Sequence, residues 1–162
     1  MPRELKLDSS TGRHLTNWQN DEWESEFELA QSIGLCGDYL RFTSHPDFKV
    51  RSKSCARYNC HGMTFGGRRT AISEPDVVAR ILAEDAYTPI PAETVQAGDI
   101  VIYWAESGDP SHSAVVLVPP KPESLNIPVV FSKWGLHFEA THRANACPYD
   151  FQRAVYYRVN PE

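Results

Sequence analysis

Apolar positions recur at helical spacing in two stretches of the first half of the chain, and each stretch follows residues that favour a helix start. The first predicts a helix over residues 22–34, with acidic residues in its first turn and Gly34 at its end. The second follows Ser73, where a serine cap precedes a proline, and should end near Glu84 or Asp85. The apolar faces consist of Trp23, Phe27, Ala30 and Ile33 in the first helix and of Val77, Val78, Ile81 and Leu82 in the second. Both faces are typical of helices that pack against a core.

From residue 100 onwards the pattern changes to that of strands. Five runs rich in β-branched and aromatic residues are separated by turn-forming residues, and we predict each run as a strand. The predicted strands cover residues 100–105, 113–118, 129–134, 137–142 and 153–159. Helices first and a C-terminal antiparallel sheet afterwards predict an α+β domain in which the helices pack on the sheet.

The other segments show no sustained period. Residues 1–20 mix Ser, Thr, Gly and charges, which predicts an ordered peripheral arm. Residues 36–53 predict a loop-rich passage with a turn at residues 45–47, and residues 87–91 predict an extended connector because two of them are proline. With 162 residues the chain has the size of one domain, so we expect a single domain over residues 1–162.

The charge balance and the N-terminus restrict the setting. The chain has 16 Lys and Arg against 21 Asp and Glu, a net charge of −5, and no basic run, which argues against nucleic acid as a partner. The N-terminus carries charges where a signal peptide needs an apolar run, and no stretch reaches membrane-spanning length. We therefore expect a chain that is cytoplasmic as synthesised and has no membrane span. To act outside the cell it would need an export route without a conventional signal peptide.

A cysteine stands where a short helix is predicted to begin. Asn59 is a favourable N-cap, and the helix after it would end at Gly66-Gly67, which places Cys60 in the first turn. A free thiol with a pKa of about 8.5 is only about 3% thiolate at pH 7, whereas a helix dipole and a neighbouring imidazolium lower the pKa to about 3.5–7.5. Cys60 is therefore a candidate nucleophile, and its alternative role is that of an ordinary buried cysteine.

Two histidines are candidates for the imidazole that such a thiol needs. His112 follows a turn and enters the predicted strand over residues 113–118, from where it can reach across a cleft. Its alternative role is that of a capping residue at the strand start. His61 adjoins Cys60, but neighbours on a helix point about 100° apart, so lining the cleft suits it better than acting as a base.

The order of these motifs resembles that of papain-like cysteine hydrolases, in which a cysteine at a helix start precedes a histidine at a strand start. The turn at residues 97–99, the apolar run Ile100–Trp104 and then His112 are similar to the pairing of strands in NlpC-type and CHAP-type enzymes. The similarity runs from about Tyr58 to Trp134. It implies a compact papain-like α+β fold and hydrolysis of amide bonds in peptidoglycan peptides, with no metal or organic cofactor.

The resemblance also implies a third polar group that holds the imidazole, on the strand after the histidine strand. The matching residue is Ser132, which can accept a hydrogen bond from the ring. The next residue, Lys133, cannot accept one, and as a cation it would oppose an imidazolium. The family places Glu, Asn, Asp, Gln or His here, so both residues depart from its pattern. Glu139 and His142 on the following strand are the substitutes.

Other groups near Cys60 have candidate roles in binding. The oxyanion hole would use the backbone N–H of Cys60 and a side-chain donor just upstream, from Asn59 or Tyr58. Trp134 is a candidate to line the cleft with His61, although aromatic residues on strands more often belong to the core. Basic residues that flank Cys60 form either a solvated rim or a patch that meets substrate carboxylates: Arg51, Lys53, Arg57, Arg68 and Arg69.

These features predict a cysteine amidase or endopeptidase that acts on a peptide or a peptidoglycan fragment, with deamidation or acyl transfer on a protein as the variant chemistry. A small hydrolase without a signal also suits a toxin delivered into competitors, whose further partner would be a cognate inhibitor protein. The alternative from another class is a papain-fold binding module that has lost catalysis, which the Ser132-Lys133 pair favours. A zinc site that includes Cys55, Cys60 and His61 is a third alternative, although this spacing fits none of the usual structural patterns.

Overall fold

The computed structural model describes residues 1–22 and 37–160. The helix predicted over residues 22–34 therefore lies outside the described residues except for its first position, and Cys36 lies outside them as well. The described part is an α+β structure in which three helices accompany one antiparallel sheet of seven strands.

The sheet has the strand order β1-β6-β5-β4-β3-β7-β2, and every neighbouring pair is antiparallel. The strands are β1 (Lys49–Val50), β2 (Tyr87–Ile90), β3 (Ile100–Trp104), β4 (Pro110–Val118), β5 (Val129–Lys133), β6 (Glu139–Arg143) and β7 (Ala154–Val159). The five predicted strands are confirmed as β3 to β7. The two edge strands come from segments predicted as a loop-rich passage and as a connector, so the sheet is not confined to the C-terminal half. Pro89 is tolerated in β2 because an edge strand needs no N–H on its outer side.

Three helices precede the central strands: α1 (Gly37–Thr43), α2 (Cys60–Phe65) and α3 (Pro75–Glu84). The prediction for α2 is confirmed, because Asn59 is its N-cap and Gly66 its C-cap. The bounds of α3 are confirmed, but its N-cap is Glu74 and makes no side-chain capping bond, so the prediction of a Ser73 cap was wrong. The helix start instead relies on Pro75 at its first position, whose fixed φ suits a helix. Helix α1 lies in the passage predicted as loop-rich.

The two faces of the sheet support two apolar clusters. The α3 side of the sheet carries Ile100 and Ile102, which pack with the buried face of α3. The opposite side carries Val101 and Tyr103, because side chains alternate along a strand. The second cluster also contains Val95, Ala114, Val116, Val130, Trp134, Ala144, Cys147 and Tyr156. The strand that carries His112 and Ser113 therefore separates two differently packed layers.

The arm over residues 1–20 is hydrogen-bonded to the body, as its prediction required. Single β-bridges join Arg3 to Gln19 within the arm and Trp18 to Ala71 of the body. Leu15, however, is only 3% exposed and belongs to the cluster beneath α3. The arm thus contributes to the core, which its mixed composition did not predict.

The glycine-aspartate turn before β3 has a structural role. Gly98 adopts φ 92°, a left-handed conformation that favours glycine. Asp99 is buried, accepts the N–H of Gln96 at 2.7 Å, and forms a two-pronged ion pair with Arg158 of β7 at 2.7 and 2.8 Å. The turn therefore fixes the start of β3 against β7 and leaves the chemistry to other residues.

Candidate active site

Cys60 is the first residue of α2, and its position is fixed by its neighbour Asn59. The side-chain oxygen of Asn59 accepts the N–H groups of Gly62 at 2.9 Å and of Ile72 at 3.1 Å, and its Nδ2 donates to Ile72 O at 2.8 Å. This amide therefore caps the helix and also ties its start to the segment that precedes α3. Cys60 is buried, with 6% of its surface exposed.

His61 is held between α2 and β4 by both of its ring nitrogens. Nε2 donates to the carbonyl of Pro110 at 3.0 Å, and Nδ1 lies 2.9 Å from Ser113 Oγ. Ser113 Oγ in turn lies 2.9 Å from Thr64 Oγ1, which donates to Cys60 O at 3.0 Å. The ring is buried against β4, so it does not line an open cleft as we had expected from the sequence.

His112 approaches from the other side of β4, because consecutive residues on a strand point to opposite faces. It pairs in register with Tyr103 and has no exposed surface. The ring of Tyr149 lies parallel to the imidazole, with 3.7 Å between ring centroids and an interplanar angle of 4°. Among residues 1–22 and 37–160, neither ring nitrogen of His112 has a hydrogen-bond partner. Stacking on Tyr149 therefore holds this ring, and the Cys60 sulfur is the polar group that interacts with it.

The electrostatics link both imidazoles to the sulfur. Burial alone would raise the pKa of the Cys60 thiol, but interactions with His61 and His112 outweigh burial and hold that pKa well below its ordinary value. Burial opposes the charged form of His61, yet attraction to Cys60 raises the pKa of this imidazole overall. Burial lowers the pKa of His112, with partial compensation from Cys60. These interactions favour the thiolate of Cys60 relative to an ordinary cysteine, and they favour the imidazolium more at His61 than at His112.

Ser132, the expected third residue, does not contact His112. Its hydroxyl donates to His142 Nε2 at 2.8 Å and accepts the Nε1–H of Trp134 at 3.1 Å. His142 Nδ1 donates to the carbonyl of Arg143 at 2.8 Å, which fixes the tautomer of this ring. Ser132 and His142 therefore satisfy each other inside the core, and neither bonds to His112. Trp134 is fully buried and belongs to the same core instead of lining a cleft.

Lys133 and Glu139 occupy the opposite face of β5 and β6 and form a separate polar group. Lys133 is fully buried, donates to Gly135 O at 2.9 Å and lies 4.7 Å above the ring of Tyr58. Glu139 accepts the Tyr58 hydroxyl at 2.8 Å and the Nε–H of Arg68 at 2.6 Å. The single O–H of Tyr58 is thus already used and does not point to an oxyanion. Lys133 faces Tyr58 and not the site's imidazoles, so the opposition expected between it and an imidazolium loses its geometric basis.

Burial lowers the pKa of Lys133 to about 8, with Cys55 and Cys60 in their anionic forms acting in the opposite direction. A buried ammonium near Cys60 is the feature that the sequence analysis missed. The signal was present in the strand period, because Lys133 must point away from the face that carries Ser132 and Trp134. The face to which Lys133 points is the one against which α2 packs, as the contact between His61 and Ser113 of β4 shows.

The pH dependence of stability should report on His142. Burial lowers its pKa to about 4, against about 6.5 for an unfolded histidine. Above pH 6.5 His142 is neutral in both the folded and the unfolded state, and its full contribution to the free energy of unfolding is present. Between pH 6.5 and 4 His142 takes up a proton only in the unfolded chain, so the free energy of unfolding falls as the pH falls. The difference corresponds to about 3 kcal/mol. Urea unfolding at pH 7.5 and pH 4.5 should show this loss in the wild type and a loss smaller by about 2–3 kcal/mol in His142→Gln.

Glutamine is the matched replacement because its amide can accept from Ser132 and donate to Arg143 O without taking up a proton. Burial also lowers the pKa values of His112 and His137, and these two residues contribute equally to the pH dependence of stability in the wild type and in the variant. Equal acid sensitivity of wild type and variant would contradict the assignment to His142.

The remaining candidate groups are distributed around the site. Cys55 and Cys147 are free thiols, like Cys60, and Cys55 donates its S–H to Glu22 at 3.0 Å. Over the described ranges no group of three or more His, Cys, Asp and Glu side chains is placed to hold a metal ion. The basic rim is partly neutralised, since Arg57 pairs with Glu22 at 3.2 Å in addition to the Arg68 contact. No helix within the described residues is both long and apolar enough to cross a bilayer.

No protein-family model, curated protein or solved structure matches this chain.

Proposed function

We propose that the chain is a papain-like cysteine hydrolase of amide bonds, of the NlpC and CHAP type, with Cys60 as nucleophile and His112 as proton carrier. The observation that carries the proposal is the position of Cys60, at the capped start of a helix and in electrostatic contact with two buried imidazoles. A helix start and neighbouring imidazoles are the two factors that turn a thiol into a thiolate. Peptide amides in peptidoglycan are the substrate class that the resemblance favours.

The reaction would proceed through a thioester. The Cys60 thiolate attacks the carbonyl carbon to form a C–S bond, and the N–H groups at the start of α2 face the oxygen that gains charge. The C–N bond breaks as His112, in the minor protonated form that its lowered pKa allows, gives its proton to the leaving amine. Water then attacks the thioester, His112 takes a proton from that water, and cleavage of the C–S bond returns the thiolate and releases the acid. The unpartnered nitrogens of His112 support this role, because a proton carrier needs a nitrogen that is not permanently bonded.

Purified peptidoglycan incubated with wild type and with Cys60→Ala tests the proposal. Mass analysis of the released fragments should show new peptide ends, each carrying the mass of one added water, with the wild type alone. Cys55→Ala is the matched control, since Cys55 is a free thiol in the same segment that bonds to Glu22. Absence of such fragments from the wild type, or their release by Cys60→Ala, would overturn the proposal.

A papain-fold binding module is the second candidate, because no third polar side chain of the described residues orients the His112 ring and Cys60 is only slightly exposed. It predicts slow alkylation of Cys60 at the same rate as Cys55 and Cys147. A hydrolase predicts preferential alkylation of Cys60 below pH 8.

A further inference from the structure

Four short polar contacts surround His61, and they restrict where the protons lie. The contacts run from Pro110 O to His61 Nε2 at 3.0 Å, from His61 Nδ1 to Ser113 Oγ at 2.9 Å, from Ser113 Oγ to Thr64 Oγ1 at 2.9 Å, and from Thr64 Oγ1 to Cys60 O at 3.0 Å. The first and the last atom in this series of contacts are carbonyl oxygens, which accept hydrogen bonds and never donate them. The protons in between must therefore come from the two hydroxyls and the imidazole.

Counting protons from the far end leaves one arrangement that fills every contact. The Thr64 hydroxyl has a single proton and must donate it to Cys60 O, so Thr64 Oγ1 accepts from Ser113. The Ser113 proton is then used, so Ser113 Oγ accepts from His61 Nδ1. Since Nε2 already donates to Pro110 O, both nitrogens of His61 carry protons. If His61 were neutral with its proton on Nε2, Ser113 would donate to Nδ1, and the 2.9 Å contact between Ser113 Oγ and Thr64 Oγ1 would have no proton.

We infer that His61 is a standing imidazolium, the fixed cation that keeps Cys60 as a thiolate, and that the Ser113-Thr64 hydroxyl pair holds it in that form. The inference rests on the proposed function for its role in catalysis. It separates two tasks that one histidine performs in a simple cysteine-histidine pair: His61 supplies charge, and His112 moves protons. His61 is suited to the first task only, because neither of its nitrogens is available to a substrate.

The charges around the ring agree with this assignment. A cation buried to this degree needs a counter-charge, and Cys60 is the anionic group that raises the pKa of His61. Three other titratable groups interact with the pair: His112, Lys133 and Tyr149. The charge of His61 is one of the factors that lower the pKa of His112, after burial. An imidazolium at His61 and a thiolate at Cys60 thus form a neutral buried pair, in which the thiol proton has moved to the adjacent residue.

The experiment follows the protonation of the pair by two readouts that do not depend on turnover. The ring ¹⁵N signals of His61 report whether one or both nitrogens carry a proton near pH 7. The rate of Cys60 alkylation by iodoacetamide, resolved by peptide mass analysis from pH 5 to 9, reports the thiol pKa. We expect both nitrogens of His61 to be protonated in the wild type and Cys60 labelling to be maximal below pH 8.

The variants are Ser113→Ala, which removes the acceptor of the Nδ1 proton, and His61→Gln, which removes the charge. Each should move the labelling profile to higher pH, so that labelling at pH 6.5 slows by about tenfold for every unit by which the thiol pKa rises above 6.5. Ser111→Ala is the matched control, because Ser111 lies on the same strand and its hydroxyl bonds to Tyr103 O, away from His61. Its profile should equal that of the wild type.

One protonated nitrogen at His61, or a Ser113→Ala profile identical to the wild type, would overturn the inference. The ring ¹⁵N measurement needs the wild type alone, so it decides even where a variant fails to fold. Failure of the proposed function would give a different result. If His61 is protonated and Cys60 is reactive but the wild type cleaves no amide, the ion pair stands and the assignment as a hydrolase is wrong. If the wild type cleaves amides while His61 is neutral, the hydrolase assignment stands and the ion pair is wrong.

Discussion

Replacing His112 by alanine should lower kcat/KM for a peptide amide about 1,000-fold, within the range of about 10²–10⁴ that a positioned proton donor contributes. His112 is fully buried beside Cys60, and its ring nitrogens have no other partner among the described residues. Its loss removes the group that protonates the leaving amine and accepts a proton from water. Initial rates on a fluorogenic peptide identified from the fragment analysis would measure the effect.

The alkylation rate of Cys60 separates this role from a merely structural one. His112 is one of two imidazoles that lower the thiol pKa, so His112→Ala should still label faster below pH 8 than an isolated cysteine, because His61 remains. His14→Ala is the matched control, since His14 is a half-exposed histidine of the arm that pairs with Glu4 at 2.7 Å. Activity of His112→Ala within tenfold of the wild type would remove His112 from the mechanism.

An element of the fold could be predicted where the residues that determine it are neighbours in the sequence. The strands β3 to β7 could be predicted from the alternation of residues within each strand. Helix α2 could be predicted from its N-cap and its glycine stop, which lie within a few residues of each other. The edge strands β1 and β2 were missed because they exist through pairing with β6 and β7, distant in sequence. The burial of Leu15 has the same origin, because its neighbours in the core come from other parts of the chain.

The candidate site shows the same division. Cys60 and His112 could be chosen from residue type, order and the elements around them, and the structure brings both into one cluster. Ser132 was assigned from its position after the histidine strand, but its partners were set by His142 one strand further on. Tyr149 lies in a loop that has no period, so nothing in its surroundings indicated that it would cover His112. Which side chains pair across a core depends on the register of the strands and on the path of the loops, and neither can be read from a single sequence.

Gly62→Ala should destabilise the protein by about 3 kcal/mol or more, because overpacking against immobile atoms costs at least the upper part of the usual 1–3 kcal/mol range. A Cβ on Gly62 would lie 1.8 Å from the carbonyl oxygen of Thr70. That carbonyl cannot retreat easily, since Thr70 Oγ1 donates to Asn17 Oδ1 at 2.6 Å and Ala71 exchanges two backbone hydrogen bonds with Trp18. The melting temperature should fall by about 6–12 °C, measured by circular dichroism.

Gly66→Ala is the matched comparison, because it adds the same methyl group about one turn later, at the C-cap of the same helix. Its nearest contact would be 3.0 Å, which a small shift relieves, so its melting temperature should fall much less. In Gly62→Ala the helix is the element that must move, and Cys60 and His61 move with its first turn away from His112 and from the Ser113 and Pro110 partners of His61. Whatever fraction folds should then show Cys60 alkylation displaced to higher pH, a change that Gly66→Ala lacks. Equal stability of the two variants would mean that the contact between α2 and Thr70 is not what positions the nucleophile.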